Sequence, residues 1–160
     1  MILQADTICA LITPPGRGAV GVIRISGAKT FEIISRIFIP ANNSLSIAQL
    51  EHQRIYFGKI VDNNDLVDEV LVSIFKAPAT YTGEDVAEIS CHGSGYIRQR
   101  ILQLIMQSGA VMAKPGEFTM RAYLNGKMDL AQAEAVADII EAENSISHHG
   151  RLYGGFHRLL

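Results

Sequence analysis

The sequence predicts an α+β fold, a mixed β-sheet with helices packed on it, followed by C-terminal helices. Three observations lead there. Short apolar runs of strand character occur at 7–12, 20–25, 54–61, 66–75, 85–91 and 110–113. Helical spacing interrupts them only twice, after the second and fifth runs, so strands and helices do not alternate as a doubly wound parallel sheet requires. Two helical patterns then close the chain. With 160 residues, 48% hydrophobic and 19% charged, the length suits one domain or slightly more. A net charge of −2 gives no bulk electrostatic case for nucleic acid or an anionic membrane, although a local basic patch stays open.

Thr7 to Ile12 (TICALI) is nearly continuous apolar sequence, the mark of a buried strand. TPPGRG follows, a stiff exposed turn with Arg17 at its tip. Val20 to Ile25 (VGVIRI) is a second strand, with Arg24 near its end. Ser26-Gly27 can start a helix, in which Phe31, Ile34, Ile37 and Phe38 recur at helical spacing. Pro40 to Glu51 reads as a polar connector. Arg54 to Val61 and Leu66 to Phe75 form a hairpin around DNND, whose residues tolerate left-handed angles.

Pro78 to Gly93 (PATYTGEDVAEISCHG) carries the most chemistry. It opens as a loop at Pro78, Thr82 and Gly83, and becomes a strand from Asp85 to Cys91. Glu88 lies on its polar face, with Ser90 and His92 beyond it. A carboxylate held on a strand is suited to reading a ligand; an ordinary solvated face is the competing interpretation, favoured by this stretch alone.

Ser94 to Ser108 is amphipathic, with Ile97, Ile101, Leu104 and Ile105 on one face, Arg98 and Arg100 off it, and Gly109 as C-terminal cap. Ala110 to Ala113 is a short strand. Pro115-Gly116 punctuates the chain before a helix at Glu117 to Leu124. Asp129 and Gln132 form a capping box for an alanine-rich helix from Leu130 to about Glu143, with the stripe Leu130, Ala133, Val136, Ala137, Ile140. No earlier helix is an obvious mate for that stripe, which points to a partner outside the chain. Residues 144–160 have weak periodicity and receive no assignment.

Several motifs are near misses. Gly16-Arg17-Gly18-Ala19-Val20-Gly21 spells G-x-G-x-x-G, but a strand follows it where a dinucleotide site needs a helix. Gly126-Lys127 lacks the earlier glycine and the following Ser or Thr of a phosphate loop, because Arg121 and Met128 stand there. Cys91 and His92 adjoin on a strand and point to opposite faces, so they form no nucleophile–base pair. The two cysteines, Cys9 and Cys91, read as buried thiols of a reducing compartment, with a disulfide between them left open. No zinc spacing is present and no metal site is expected. No apolar run reaches the roughly 20 residues of a membrane span, and no signal peptide is recognised, so the expected location is cytoplasmic with no membrane partner.

Three charges are anchored by stiff elements: Arg24 at a strand end, Glu88 in mid-strand, and Lys127 in a loop pinned by Gly126 and the cap at Asp129. A carboxylate with two cations suits a ligand that combines a polar heterocycle with an anionic tail. Glu can accept two N–H donors from a guanidine-like ring edge, and Arg or Lys can meet carboxylates. Surface salt bridging is the competing interpretation, and it prevails on these residues alone.

Asp6 to Gly27 (DTICALITPPGRGAVGVIRISG), PATYTGEDVAEISCHG, and Lys114 to Ile140 (KPGEFTMRAYLNGKMDLAQAEAVADII) together resemble the N-terminal region of the MnmE (TrmE) family of tRNA-modification GTPases, with a weaker match in the tail. The resemblance covers nearly the whole chain in order. It implies a folate-binding, aminomethyltransferase-like domain at residues 1–122 that also forms the homodimer, and the beginning of a helical domain at 123–160. Carried over, Arg24, Glu88 and Lys127 match the family's folate-contacting positions, with 5-formyl-tetrahydrofolate or a related one-carbon folate as ligand. A further contributing lysine lies at the family's extreme C-terminus and has no counterpart here. The family acts with the flavoprotein MnmG to add a carboxymethylaminomethyl-type group to carbon 5 of the wobble uridine of tRNA, using GTP, Mg2+ and K+ through a G domain. The alternative is a purely structural dimerisation module without folate binding. No catalytic residue is assigned, and no phosphate loop is found. These 160 residues are therefore expected to show no potassium-dependent GTP turnover, which a phosphate-release assay on the purified chain would check.

Overall fold

A computed structural model describes the backbone of residues 6–153 and the side chains as far as residue 142. Seven strands form one mixed sheet in the order β3-β4-β5-β6-β2-β1-β7. Strands β1 (Ile8–Leu11) and β2 (Val20–Ser26) pair antiparallel, with Ala10 opposite Arg24. The TPPGRG loop between them is seated by glycine. A Cβ at Gly93 would lie 1.7 Å from the Gly18 carbonyl oxygen, and the Gly93 N–H donates to the Ala19 carbonyl at 3.0 Å. At Gly21 a Cβ would meet the Arg98 side chain, whose guanidinium reaches the Gly16 carbonyl at 2.7 Å. Of the G-x-G-x-x-G string, Gly21 thus serves close packing within a strand, while Gly16 takes a left-handed φ of 109° in the turn.

Helix α1 (Thr30–Ile37) buries Ile33, Ile34 and Ile37. The expected helix included Phe38, and Pro40 onward was expected to be connector. Instead Phe38–Pro40 is a short strand, β3, on the edge beside β4. Spacing could not locate this boundary, because Phe38 is buried in either conformation. Its ring lies over Gly58, where a Cβ would come within 2.5 Å of it. Pro40, with no N–H to donate, sits where an edge strand ends. The connector also holds a single 3-10 turn at Ile47–Gln49, entered through a capping box of Ser46 and Gln49.

Strands β4 (Arg54–Asp62) and β5 (Asp65–Phe75) form the expected hairpin. Asn63 and Asn64 take φ of 48° and 73°, the left-handed pair that matches strand twist in a two-residue turn. Strand β6 (Val86–His92) joins β5 to β2, antiparallel to both. Helix α2 (Gly95–Gln107) buries Ile101, Leu104 and Ile105, and Gly109 follows it at φ 113°. Strand β7 (Val111–Met112) lies parallel to β1.

Burial is one-sided. Ile23 and Ile25 of β2, Val70, Val72 and Ile74 of β5, and Ala87, Ile89 and Cys91 of β6 pack with α1 and α2 in a single core. Their alternating neighbours face away: Ile55, Phe57 and Leu71 are exposed, while Arg24, Glu88 and Ser90 are half-buried. Helix α3 (Glu117–Leu124) follows Gly116, which has φ 75°. Asp129 and Gln132 make the reciprocal bonds of the capping box at 2.8 and 3.0 Å before α4. Helix α4 runs from Leu130 to Tyr153, well past the expected end near Glu143, and neither glycine nor proline interrupts residues 130–149. The expectation of no mate within the chain also needs correction. Leu130, Ala133, Ala137 and Ile140 line a groove of about 250 Å³ against Gly116, Met120 and Tyr123 of the α3 segment. No helix among the described residues is long and apolar enough to cross a membrane.

Ile89 lies at the centre of the core with no exposure. Ile89→Ala should cost about 2–5 kcal/mol in urea unfolding, the range for an aliphatic side chain removed from a packed core.

Candidate functional site

The register of β2 and β6 sets Arg24 directly opposite Glu88 on the open face of the sheet. The Arg24 Nε–H and its Nη2 both meet Glu88 Oε1 at 2.9 Å. The two side chains retain 20% and 25% exposure, so the pair is shielded from bulk screening yet accessible. Two aromatic rings flank the guanidinium: Tyr81, 5.0 Å from its carbon, and Phe118, at 5.3 Å. Both distances fall within cation–π range. Tyr81 comes from the loop before β6 and Phe118 from the first turn of α3, and the Tyr81 hydroxyl lies 3.1 Å from the Thr119 hydroxyl.

Lys127 stands apart from this pair. Its aliphatic chain rests against Gly83, where a Cβ would lie 3.4–3.5 Å from Lys127 Cε and Cγ. Its ammonium makes no ion pair or hydrogen bond among the described residues. The structure thus joins Arg24 to Glu88 directly, and brings Lys127 to the loop that leads into the Glu88 strand.

That loop, Thr82-Gly83-Glu84, which the sequence marks as shaping the pocket, is held by Ser26, Arg121 and Asn125, which it did not mark. Thr82 is fully buried, and its hydroxyl shares a 2.7 Å hydrogen bond with Ser26. Glu84 Oε2 accepts from the Ser26 hydroxyl at 2.7 Å. Arg121, only 2% exposed, donates to Glu84, to Glu117 and to the Asp6 carbonyl. The side-chain amide of Asn125 donates to the Thr82 carbonyl at 2.7 Å. Glu117 and Arg121 do stand at i, i+4 in the sequence, but that spacing usually marks a solvated helix pair. Neither Tyr81 nor Phe118 carried any sequence signal of facing Arg24.

The remaining chemical groups lie elsewhere. Cys91 faces the core, while His92 faces solvent, as their adjacency on a strand requires. Buried Asp68 accepts from the His92 backbone N–H at 2.9 Å and lies 2.7 Å from its Nδ1. Cys9 and Cys91 are both free thiols. Among the described residues no group of three or more His, Cys, Asp and Glu could hold a metal ion.

An accessible ion pair between two aromatic rings can exchange its internal partner for a flat polar ligand. The carboxylate can accept from N–H donors on one ring edge, the rings can stack on its faces, and the guanidinium can meet an oxygen anion. Fold and site together define a one-sided α+β sheet domain with a small charged, aromatic-walled patch at its β2–β6 pair. Residues 7–127 match the family described as GTP-binding protein TrmE N-terminus, and the chain belongs to that family. It is similar to proteins named tRNA modification GTPase MnmE. The one from Flavobacterium johnsoniae is 52% identical over 158 residues, covering 97% of this chain and 34% of the relative. That from Bacteroides fragilis is 48% identical over 161 residues, covering 99% and 34%. That from Cytophaga hutchinsonii is 52% identical over 156 residues, covering 96% and 33%. The chain therefore spans about a third of the length of these relatives.

Burial raises the Cys9 thiol to about 11 from its ordinary 9.0. Burial, and secondarily the Asp68 carboxylate, also raise Cys91. A raised thiol stabilises the fold fully below the unfolded value and loses that contribution as pH rises through the folded one. Stability should therefore fall between pH 9.0 and about 11, and a Cys9→Ala variant should show a shallower decline in thermal melts across that window.

Proposed function

We propose that this chain is the tetrahydrofolate-binding and dimer-forming part of a tRNA-modification GTPase. In this reading residues 1–122 carry the dimer contact and most of the folate site, and 123–160, which contribute Lys127, begin a helical domain. The ligand is 5-formyl-tetrahydrofolate or a related one-carbon folate. The complete protein acts in the cytoplasm with the flavoprotein MnmG. Together they add a carboxymethylaminomethyl-type group to carbon 5 of the wobble uridine of tRNA, and GTP, Mg2+ and K+ are used outside these residues.

The observation that carries the reading is the Arg24–Glu88 pair between Tyr81 and Phe118, within a chain of this family. A pterin presents adjacent N–H donors on one edge of a flat ring, which matches what a carboxylate can accept beside a guanidinium lined by aromatic rings. Its benzoylglutamate tail is anionic, which matches the exposed cation at Lys127. The chain's contribution is to bind and orient: Glu88 reads the ring edge, and Arg24 and Lys127 meet carbonyl or glutamyl oxygens. When bound, the folate supplies the one-carbon unit.

A purely structural dimerisation module is the second reading. It is favoured by Ile55, Phe57 and Leu71, which leave an apolar patch on the open sheet face at 65%, 51% and 46% exposure. Calorimetric titration with 5-formyl-tetrahydrofolate separates the two. Binding by the parent chain with at least a roughly tenfold loss in Glu88→Ala is the expected result, in line with losing a charge-assisted hydrogen bond. Equal affinity of parent and variant would show that Glu88 does not read the ligand, and a parent dimer without affinity would favour the structural module.

A further inference from the structure

Arg121 is a buried cation that the proposed ligand contacts do not include. Its Nη1 donates to the Asp6 carbonyl at 2.9 Å and to both Glu84 oxygens at 3.0 and 3.2 Å, and its Nη2 donates to Glu117 at 3.0 Å. One guanidinium thereby ties the first turn of α3 to the entry of β1 and to the Thr82–Glu84 loop. Its Nε–H is buried and unpaired among the described residues. A buried charge network with an unsatisfied donor is a poor way to gain stability, since apolar residues of similar size commonly do as well. What such a network does supply is a defined geometry.

The segments it joins border the site. Glu117 is followed by Phe118, which covers Arg24, and by Thr119, which meets Tyr81. Glu84 is bonded to Ser26, two residues beyond Arg24 on β2. Thr82 and Gly83 in turn support Asn125 and Lys127. Lys127 packs against Gly83 of this loop, and its backbone N–H donates to the carbonyl of Ala122, the residue after Arg121, at 2.8 Å.

We propose that Arg121, acting through Glu84, is a positioning residue that sets where Lys127 stands relative to Arg24 and Glu88. It contacts no ligand itself. This inference rests on the folate reading above, because the distance it sets matters only for a ligand long enough to engage both ends.

A double-mutant cycle tests it, with 5-formyl-tetrahydrofolate affinity measured by calorimetry for the parent, Lys127→Ala, Arg121→Lys and the combination. Arg121→Lys keeps the charge but loses the fork. A positioning role predicts that Lys127→Ala weakens binding about fivefold or more in the parent and less than about twofold in the Arg121→Lys background, since coupled residues are not additive. A merely structural Arg121 would leave the factor for Lys127→Ala the same in both. Equal factors, including no effect in either background, overturn the positioning role while leaving folate binding intact. A parent chain that binds no folate overturns both. If Arg121→Lys does not fold, Arg121→Met combined with Glu84→Gln and Glu117→Gln leaves no unpaired buried charge, and the same cycle is run in that background.

Discussion

The constraint on which the structure depends is that helices cover one face of its sheet throughout, while the other face is covered only around the β2–β6 pair, by the Tyr81 loop and α3. Helices α1 and α2 bury Ile23, Ile25, Val72, Ile74, Ala87 and Ile89, and side chains on a strand alternate. Every residue between those positions is therefore turned to the opposite face. Arg24 lies between Ile23 and Ile25, and Glu88 between Ala87 and Ile89, so core burial itself presents this pair outward. A one-residue slip of β6 against β2 would place Glu88 in the core and expose Ile89, at a cost far above any rearrangement of the ion pair.

Charge serves two different purposes in the molecule. The Arg24–Glu88 pair is accessible and flanked by rings from two separate segments, which leaves it free to trade partners. The Arg121–Glu84–Glu117 network is nearly sealed from water, with side-chain exposures of 2%, 16% and 14%, and it fixes the segments that supply those rings. The first arrangement suits recognition, and the second suits orientation. Lys127 shows the connection: its side chain packs on Gly83 beside buried Thr82, and its backbone N–H is held by the Ala122 carbonyl of α3.

Much of the fold was legible from periodicity. The hairpin turn at Asn63-Asn64, the capping box at Asp129 and Gln132, and the bounds of α3 all rest on interactions within a few residues, and each formed as the sequence indicates. The misplacements have specific causes. Phe38 satisfied helical spacing while its ring was needed over Gly58 of a strand distant in sequence. The end of α4 lies beyond the expected one because thinning apolar periodicity does not stop a helix, and residues 144–149 contain neither glycine nor proline. Its apolar stripe was left without a mate because α3 is short and its contacting residues, Gly116, Met120 and Tyr123, show no clear stripe of their own.

The sequence by itself determined the α+β class, the alternation that turns Arg24 and Glu88 to the polar side, and the family to which the three charged positions belong. Those are properties of local spacing and of residue identity. Only the tertiary structure decided that Arg24 bonds Glu88 across the sheet, that Tyr81 and Phe118 close over it, and that Lys127 packs on a loop held by Arg121. Each of these joins segments from 37 to 115 residues apart in contacts such as Arg121 to Glu84 and Arg121 to Asp6, and no spacing rule reaches that far. Register, strand order and the burial of one arginine are set by packing the whole sheet against its two helices.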